Sequence, residues 1–184
     1  MVYFDIDGVL RDLYGEAFPD KPILKWEQQR DGNGIFGAIE GRPSLLHTAP
    51  PMEYMYTVRV LSLRGVKITI LSTQPDTWRR GTTRWLNRYL PHVPYIYTYH
   101  MEEKFDHVKE GDVLIDDYPY FSSYDRVILV DRPYNTETPA PIRVFSPVVL
   151  AAILGSRYRD WETDRKSTRL NSSHSGESRM PSSA

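Results

Sequence analysis

Val2-Tyr3-Phe4-Asp5-Ile6-Asp7-Gly8-Val9-Leu10 opens the chain with an apolar run that ends in two carboxylates. Residues i and i+2 of a strand leave on the same face, so Asp5 and Asp7 are expected to point the same way. Two acids on one side of a strand end repel each other unless a cation or a shared proton compensates. Gly8 follows, where the chain must turn sharply or let a ligand close to the backbone. The pattern points to a metal-assisted phosphoryl-transfer site rather than to a solvated turn.

Further apolar runs, Val66–Leu71, Tyr95–Thr98, Asp112–Ile115 and Arg126–Val130, read as buried strands. The spacing predicts a helix over Met52–Arg64, stopped by Gly65 at the position after its end. A second helix is expected over Asp76–Tyr89, capped by Asp76, with Trp78, Trp85, Leu86 and Tyr89 near one stripe and Pro91 beyond. Strands alternating with helices give an α/β fold built on a Rossmann-like parallel sheet. Between Leu10 and Met52 lie about forty residues rich in Gly, Pro and aromatics, too long for a bare loop in a compact domain. They read as a small helical cap inserted after the first strand. The expected division is a core of residues 1–12 and 45–163 with a cap of residues 13–44.

The 184 residues fit one domain, and 13 Tyr, 6 Phe and 4 Trp suffice for a core. The absence of cysteine excludes disulfides, thiolate zinc sites and cysteine nucleophiles. A formal charge of −1 gives no large nucleic-acid surface. No apolar stretch nears the roughly 18 residues that span a bilayer, and the strand at the N-terminus leaves no room for a signal peptide. A cytoplasmic protein is the expectation; a homodimer is left open. The five histidines lack metal-ligand spacing, and no Gly-rich nucleotide loop occurs.

Ligands of a doubly wound sheet bind outside the carboxyl ends of its strands. Three expected strands end in polar residues there: Asp5 and Asp7, then Ser72-Thr73-Gln74-Pro75, then Asp116-Asp117. Lys104 and Lys109 precede the last of them. In this order the chain resembles the haloacid dehalogenase-like hydrolase superfamily. It looks closest to the 5′(3′)-deoxyribonucleotidase-like branch, through Asp5 to Asp12, Thr73-Gln74-Pro75 and Leu114 to Asp117. Gly34-Ile35-Phe36 is similar to that branch's cap motif, and the resemblance covers roughly residues 1–150.

The resemblance implies hydrolysis of a small phosphorylated substrate, a nucleotide first of all, with Mg²⁺ as cofactor. Asp5 is the implied nucleophile, forming an aspartyl-phosphate, and Asp7 the acid and base, its pKa raised by carboxylate neighbours. Asp5, the Asp7 carbonyl and Asp116 are the implied metal ligands, with Asp117 orienting a water on the ion. Thr73 would donate to a phosphate oxygen, with Ser72 the alternate, and Lys104 would offset developing charge. Spacing to the Asp pair favours Lys104 over Lys109. Trp26, Ile35 and Phe36 either enclose a nucleobase or form the cap's own small core. Arg79 and Arg80 either reach phosphate or are ordinary surface residues, and Asp12 can cap the first cap helix. The same chemistry on a sugar phosphate or a nucleic-acid end is the first alternative, and a catalytically silent binding module the second.

From Asp164 the composition shifts, with seven serines in the last 21 residues. Asp164–His174, and Ser178–Ala184 after a three-residue gap, resemble the in-frame translation of a common sequencing-adapter oligonucleotide. Residues 164–184 are therefore expected to be unstructured adapter read-through without function.

Overall fold

The computed structural model describes residues 1–21, 24–26 and 34–156. The expected read-through stretch and the ends assigned to the cap and core at 22–23, 27–33 and 157–163 lie outside the described residues. In chain order the elements are β1 (Val2–Phe4), α1 (Leu13–Ala17), α2 (Ile35–Gly41), α3 (Leu45–Thr48), α4 (Met55–Leu63) and β2 (Ile68–Thr73). Then come α5 (Asp76–Tyr89), β3 (Tyr95–Thr98), α6 (Lys104–His107), β4 (Val113–Asp116), β5 (Val127–Val130) and β6 (Arg143–Val144). A further helical stretch runs over 147–156.

The strands form one parallel sheet in the order β3-β2-β1-β4-β5-β6. Its apolar runs alternate between two buried faces, as expected of a parallel sheet covered on both sides. Phe4, Ile70, Ile115 and Ile128 face one cluster together with Val58 and Leu61 of α4, Trp85 and Leu86 of α5, and Leu150 and Leu154. Tyr3, Leu71, Leu114 and Val127 face the other, with Trp26, Val108, Tyr118 and Phe121. β1 is central, and the strand order reverses around it, which is where such sheets bind ligands.

Two details differ from the sequence expectation. Asp76 is the first helical residue of α5 rather than its cap; Pro75 holds the cap position with extended backbone, and Asp76 pairs with Arg79 at 3.1 Å. An acid in the first turn still suits the helix dipole. β6 is too short, at two residues, to leave a periodic signal. Asp12 does cap α1, accepting from Gly15 N at 2.8 Å. Gly65, at φ 74°, ends the helix that holds α4.

A third, smaller cluster joins Leu13 and Ala17 of α1, Ile35 and Ile39 of α2, and Leu45 and Leu46 of α3 to Ala49 and Trp78. It therefore runs past residue 44 onto the first turns of α5. No helix among the described residues is long and apolar enough to cross a membrane.

Trp85 ties this layer to the main core. It is fully buried, and its Nε1 donates to the Ala49 carbonyl at 2.7 Å. Trp85→Ala is expected to lower stability by about 3–5 kcal/mol in urea unfolding, through lost packing and an orphaned carbonyl. A loss below about 1 kcal/mol would contradict this packing role.

Candidate active site

Register builds the centre of the site. Phe4 pairs with Ile115, and Asp5 N donates to the Ile115 carbonyl at 2.9 Å. One residue further on, Asp5 and Asp116 are neighbours at the carboxyl ends of β1 and β4, and both are buried. Such a pair needs a cation between its members. Lys104, the first residue of α6, supplies one: its fully buried Nζ lies 2.9 Å from Asp5 Oδ1 and 2.7 Å from Asp116 Oδ2. Lys109 is exposed and bonds the Asp106 carbonyl instead.

Asp117 completes the cluster. The Tyr134 hydroxyl donates to its Oδ2, and Asn135 Nδ2 donates to its carbonyl at 2.8 Å. Gly8, at φ 81°, passes so close that a Cβ there would collide with the Asp117 carboxylate. Only glycine meets both the left-handed backbone and the lack of room.

Asp7 departs from the expectation. The strand ends at Phe4, and Ile6 to Arg11 form a tight loop in which Leu10 N and Arg11 N both donate to the Ile6 carbonyl at 2.8 Å. Asp7 still lines the same cavity as Asp5, but its nearest partners are donors rather than carboxylates. Arg11 Nε reaches Oδ1 at 2.7 Å and Nη2 reaches Oδ2 at 2.9 Å, while Gln74 Nε2 reaches Oδ2 at 2.8 Å. Asp7 keeps Asp5 as a carboxylate neighbour, but a buried guanidinium, not part of the expectation, grips both of its oxygens.

Charge and burial act together on the rest. Burial, opposed by Lys104 and helped by Asp116 and Asp7, pushes the Asp5 carboxyl up to about 6. Burial, with Asp116 and Asp5 adding to it, holds the Asp117 carboxyl well above its usual range. Burial works against the Lys104 ammonium, yet Asp116 and Asp5 outweigh it and raise its pKa. The phenols of Tyr14 and Tyr134 are likewise raised, by burial first and then by Asp117.

Asp5, Asp116 and Asp117 can each offer an oxygen to one point, these atoms lying within 4.8 Å of one another. With Asp7 matched by Arg11, Lys104 is, among the described residues, the one side-chain cation bonded to this cluster of three carboxylates; Tyr134 and the Tyr118 backbone N–H are its neutral donors. A hard, oxygen-loving divalent cation fits such a donor set and supplies the missing charge.

A cavity of about 490 Å³ opens over these residues. Of the residues singled out in the sequence, it brings together Asp5, Asp7, Ser72, Thr73, Lys104, Asp117, Trp26, Ile35 and Phe36; Asp116 stands behind Lys104 and does not line it. Thr73 ends β2 opposite Thr98, with their hydroxyls 2.8 Å apart, and Ser72 Oγ accepts from Gln74 Nε2 at 3.2 Å. Trp26 sits edge-on to Tyr118 at 4.9 Å and near Tyr134 at 5.5 Å, while Phe36 is half-exposed and packs on Trp78 at 4.8 Å. Arg79 lies over the Tyr99 ring at 4.2 Å, at the cavity's edge, while Arg80 lines a separate groove with Arg84.

Arg11, Gln74, Thr82 and Tyr134 are the residues that sequence reasoning missed. Arg11 had a signal, a charge at i+4 from Asp7 directly after an apolar run. Thr82 had another, a polar residue on the buried stripe of α5. Tyr134 sits in a loop without pattern.

No family model and no curated protein sequence matches the chain. Solved structures do. A protein assigned as a haloacid dehalogenase-like hydrolase from Burkholderia xenovorans LB400 aligns with TM-score 0.52 and 17% identity, over 85% of this chain and 97% of its own. The chain shares the haloacid dehalogenase-like fold. D,D-heptose 1,7-bisphosphate phosphatase from Burkholderia thailandensis aligns with TM-score 0.54 and 10% identity, over 84% and 97%. A hydrolase from Pseudomonas syringae aligns with TM-score 0.54 and 14% identity over the same shares.

The two lysines separate in a stability experiment. Lys104→Met leaves two buried carboxylates without their counter-charge and is expected to cost about 3–5 kcal/mol in chemical unfolding. Lys109→Met is expected to leave the unfolding midpoint unchanged. Equal midpoints for the two variants would contradict the buried ion pair.

Proposed function

We propose that this chain is a Mg²⁺-dependent phosphatase that hydrolyses phosphate monoesters through an aspartyl-phosphate, with a 5′-(deoxy)nucleotide as substrate. The observation that carries the reading is Lys104 bonded to Asp5 and Asp116 at the floor of an aromatic-walled cavity. A phosphate dianion and an anionic nucleophile repel each other, so positive charge must be held in place before attack. Lys104 fixes Asp5 through Oδ1, leaving Oδ2 as the attacking atom.

Asp5, Asp116 and Asp117 would hold Mg²⁺, which would supply charge neutralisation at the transferring phosphoryl group. Asp5 Oδ2 forms a bond to phosphorus as the ester oxygen leaves, and Asp7 gives that oxygen its proton. Water then attacks phosphorus, Asp7 takes a proton back, and the Asp5–phosphorus bond breaks to release inorganic phosphate. Ser72 and Thr73 line the cavity; their hydroxyls would donate to phosphoryl oxygens, and Lys104 would stabilise the charge that builds there. Trp26 and Phe36 provide flat aromatic surface, and Ile35 an aliphatic one beside it, suited to a nucleobase.

The same chemistry on a sugar phosphate is the second reading; one neighbour of this fold is a phosphatase of a heptose bisphosphate. A panel of nucleotides and sugar phosphates, assayed with Mg²⁺ and with EDTA, separates the two. Nucleotides are expected to turn over fastest, and EDTA to abolish release; equal turnover of every ester would remove the nucleotide assignment. Asp5→Asn is expected to fold and to release no phosphate, and unchanged turnover would refute the covalent route. Millimolar Mg²⁺ is expected to raise Tm of the wild type but not of Asp116→Asn. An equal rise in both would argue against the carboxylate cluster as the metal site.

A further inference from the structure

Arg11 is a fully buried arginine whose five N–H donors are all placed. Nε and Nη2 grip the two oxygens of Asp7, Nη1 donates to the Leu46 carbonyl at 2.5 Å, and Nη1 and Nη2 each reach Thr82 Oγ1 at 3.3 Å. Thr82 lies on the buried stripe of α5, and its hydroxyl is 3.0 Å from Gln74 Oε1. Gln74 Nε2 closes the circuit on Asp7 Oδ2 at 2.8 Å.

The direction of each hydrogen bond in this ring is forced. A guanidinium can only donate, so Thr82 Oγ1 accepts from Arg11. The Thr82 proton therefore goes to Gln74, which must present its carbonyl oxygen to Thr82 and its amide N–H to Asp7. The ring thus chooses the orientation of the Gln74 side chain. It also distributes the lone pairs of Asp7. Oδ2 accepts twice, from Arg11 and from Gln74, while Oδ1 accepts once, from Arg11 Nε. A carboxylate offers about four acceptor sites, so the one left over belongs to Oδ1, on a side chain that lines the cavity.

We propose that Arg11, Gln74 and Thr82 are positioning residues that turn Asp7 Oδ1 toward the ester oxygen of a bound phosphate monoester. The proposal rests on the phosphatase reading above, in which Asp7 protonates the leaving group. It makes Oδ1 the oxygen that meets that group and Oδ2 the anchor. Arg11 also ties the site to its surroundings, since the Leu46 carbonyl belongs to α3, which packs on α5 through Leu46 and Gly81.

Leaving-group chemistry tests this. The nitrophenolate of p-nitrophenyl phosphate departs without a proton, whereas an alkoxide needs one as the bond breaks. The quantity to measure is kcat/KM for p-nitrophenyl phosphate and for the alkyl ester turned over fastest in the panel. It is compared across wild type, Asp7→Asn, Gln74→Leu, Thr82→Val and Thr82→Ser. Gln74→Leu is expected to lower the alkyl-to-aryl ratio at least ten-fold, toward the value for Asp7→Asn. Thr82→Val is expected to move it the same way by a smaller factor, with Thr82→Ser recovering it.

Equal losses on both esters in a folded Gln74→Leu or Thr82→Val variant would make these residues merely structural and overturn the proposal. Should Gln74→Leu not fold, Thr82→Val, which nearly matches threonine in shape, decides alone. Wild-type protein that hydrolyses neither ester would overturn the phosphatase reading itself, an outcome visible before any variant is made.

Discussion

The ammonium of Lys104 is the joint on which the sheet's carboxyl edge depends. Parallel pairing of β1 with β4 sets two aspartates side by side where neither can reach much water. Left alone, that arrangement would drive the strand ends apart or force a proton onto one acid. One buried lysine bonded to both turns a repulsion into a clasp. The clasp holds Asp5 still while leaving its second oxygen outside the pair. The remaining carboxylate, Asp117, is fixed from the other side by Tyr134 and by the closeness of Gly8. The floor of the cavity is therefore an electrostatic structure first, and its shape follows from its charges.

Two kinds of polar contact meet at this floor. Lys104 is a compact charge shared between carboxylates and open to competition from a metal ion. Arg11 is a planar fork with every donor engaged, and it holds one carboxylate in one orientation. The first lends itself to neutralising a phosphoryl group, the second to keeping a proton-transfer group in register. Neighbouring acids on one short loop thereby acquire different surroundings. The chemical distinction between Asp5 and Asp7 comes from Lys104 of α6 on one side and, on the other, from Arg11 of the same loop with Gln74 after β2.

Much of this architecture is legible in the amino-acid sequence because it rests on local rules. Short β-branched runs bounded by turns mark β1 to β5, and α5 is read to both its ends from its apolar stripe and Pro91. The meeting of Asp5 with Asp116 is also legible, since both follow apolar runs that a parallel sheet must align. Lys104 can be told from Lys109 only by its distance to the Asp pair. Arg11 and Thr82 each leave a local signal, but the closure of their ring with Gln74 and Asp7 is illegible for a physical reason: it is made across separations of 67 and 71 residues, and no periodicity encodes such a match. Asp5 and Asp7 do line one cavity, but strand pairing stops at Phe4, so the loop, and not the pleat, carries the Asp7 side chain there.

The clasp also spans time. Lys104 and Asp5 are 99 residues apart in the chain. At synthesis rates of about 5–20 residues per second, roughly five to twenty seconds separate their emergence. During that interval β1 has no β4 to pair with and Asp5 has no Lys104 beside it. A nascent chain that ends before Asp116 thus holds β1 without its full neighbour β4 and without the ammonium bridge that joins Asp5 to Asp116.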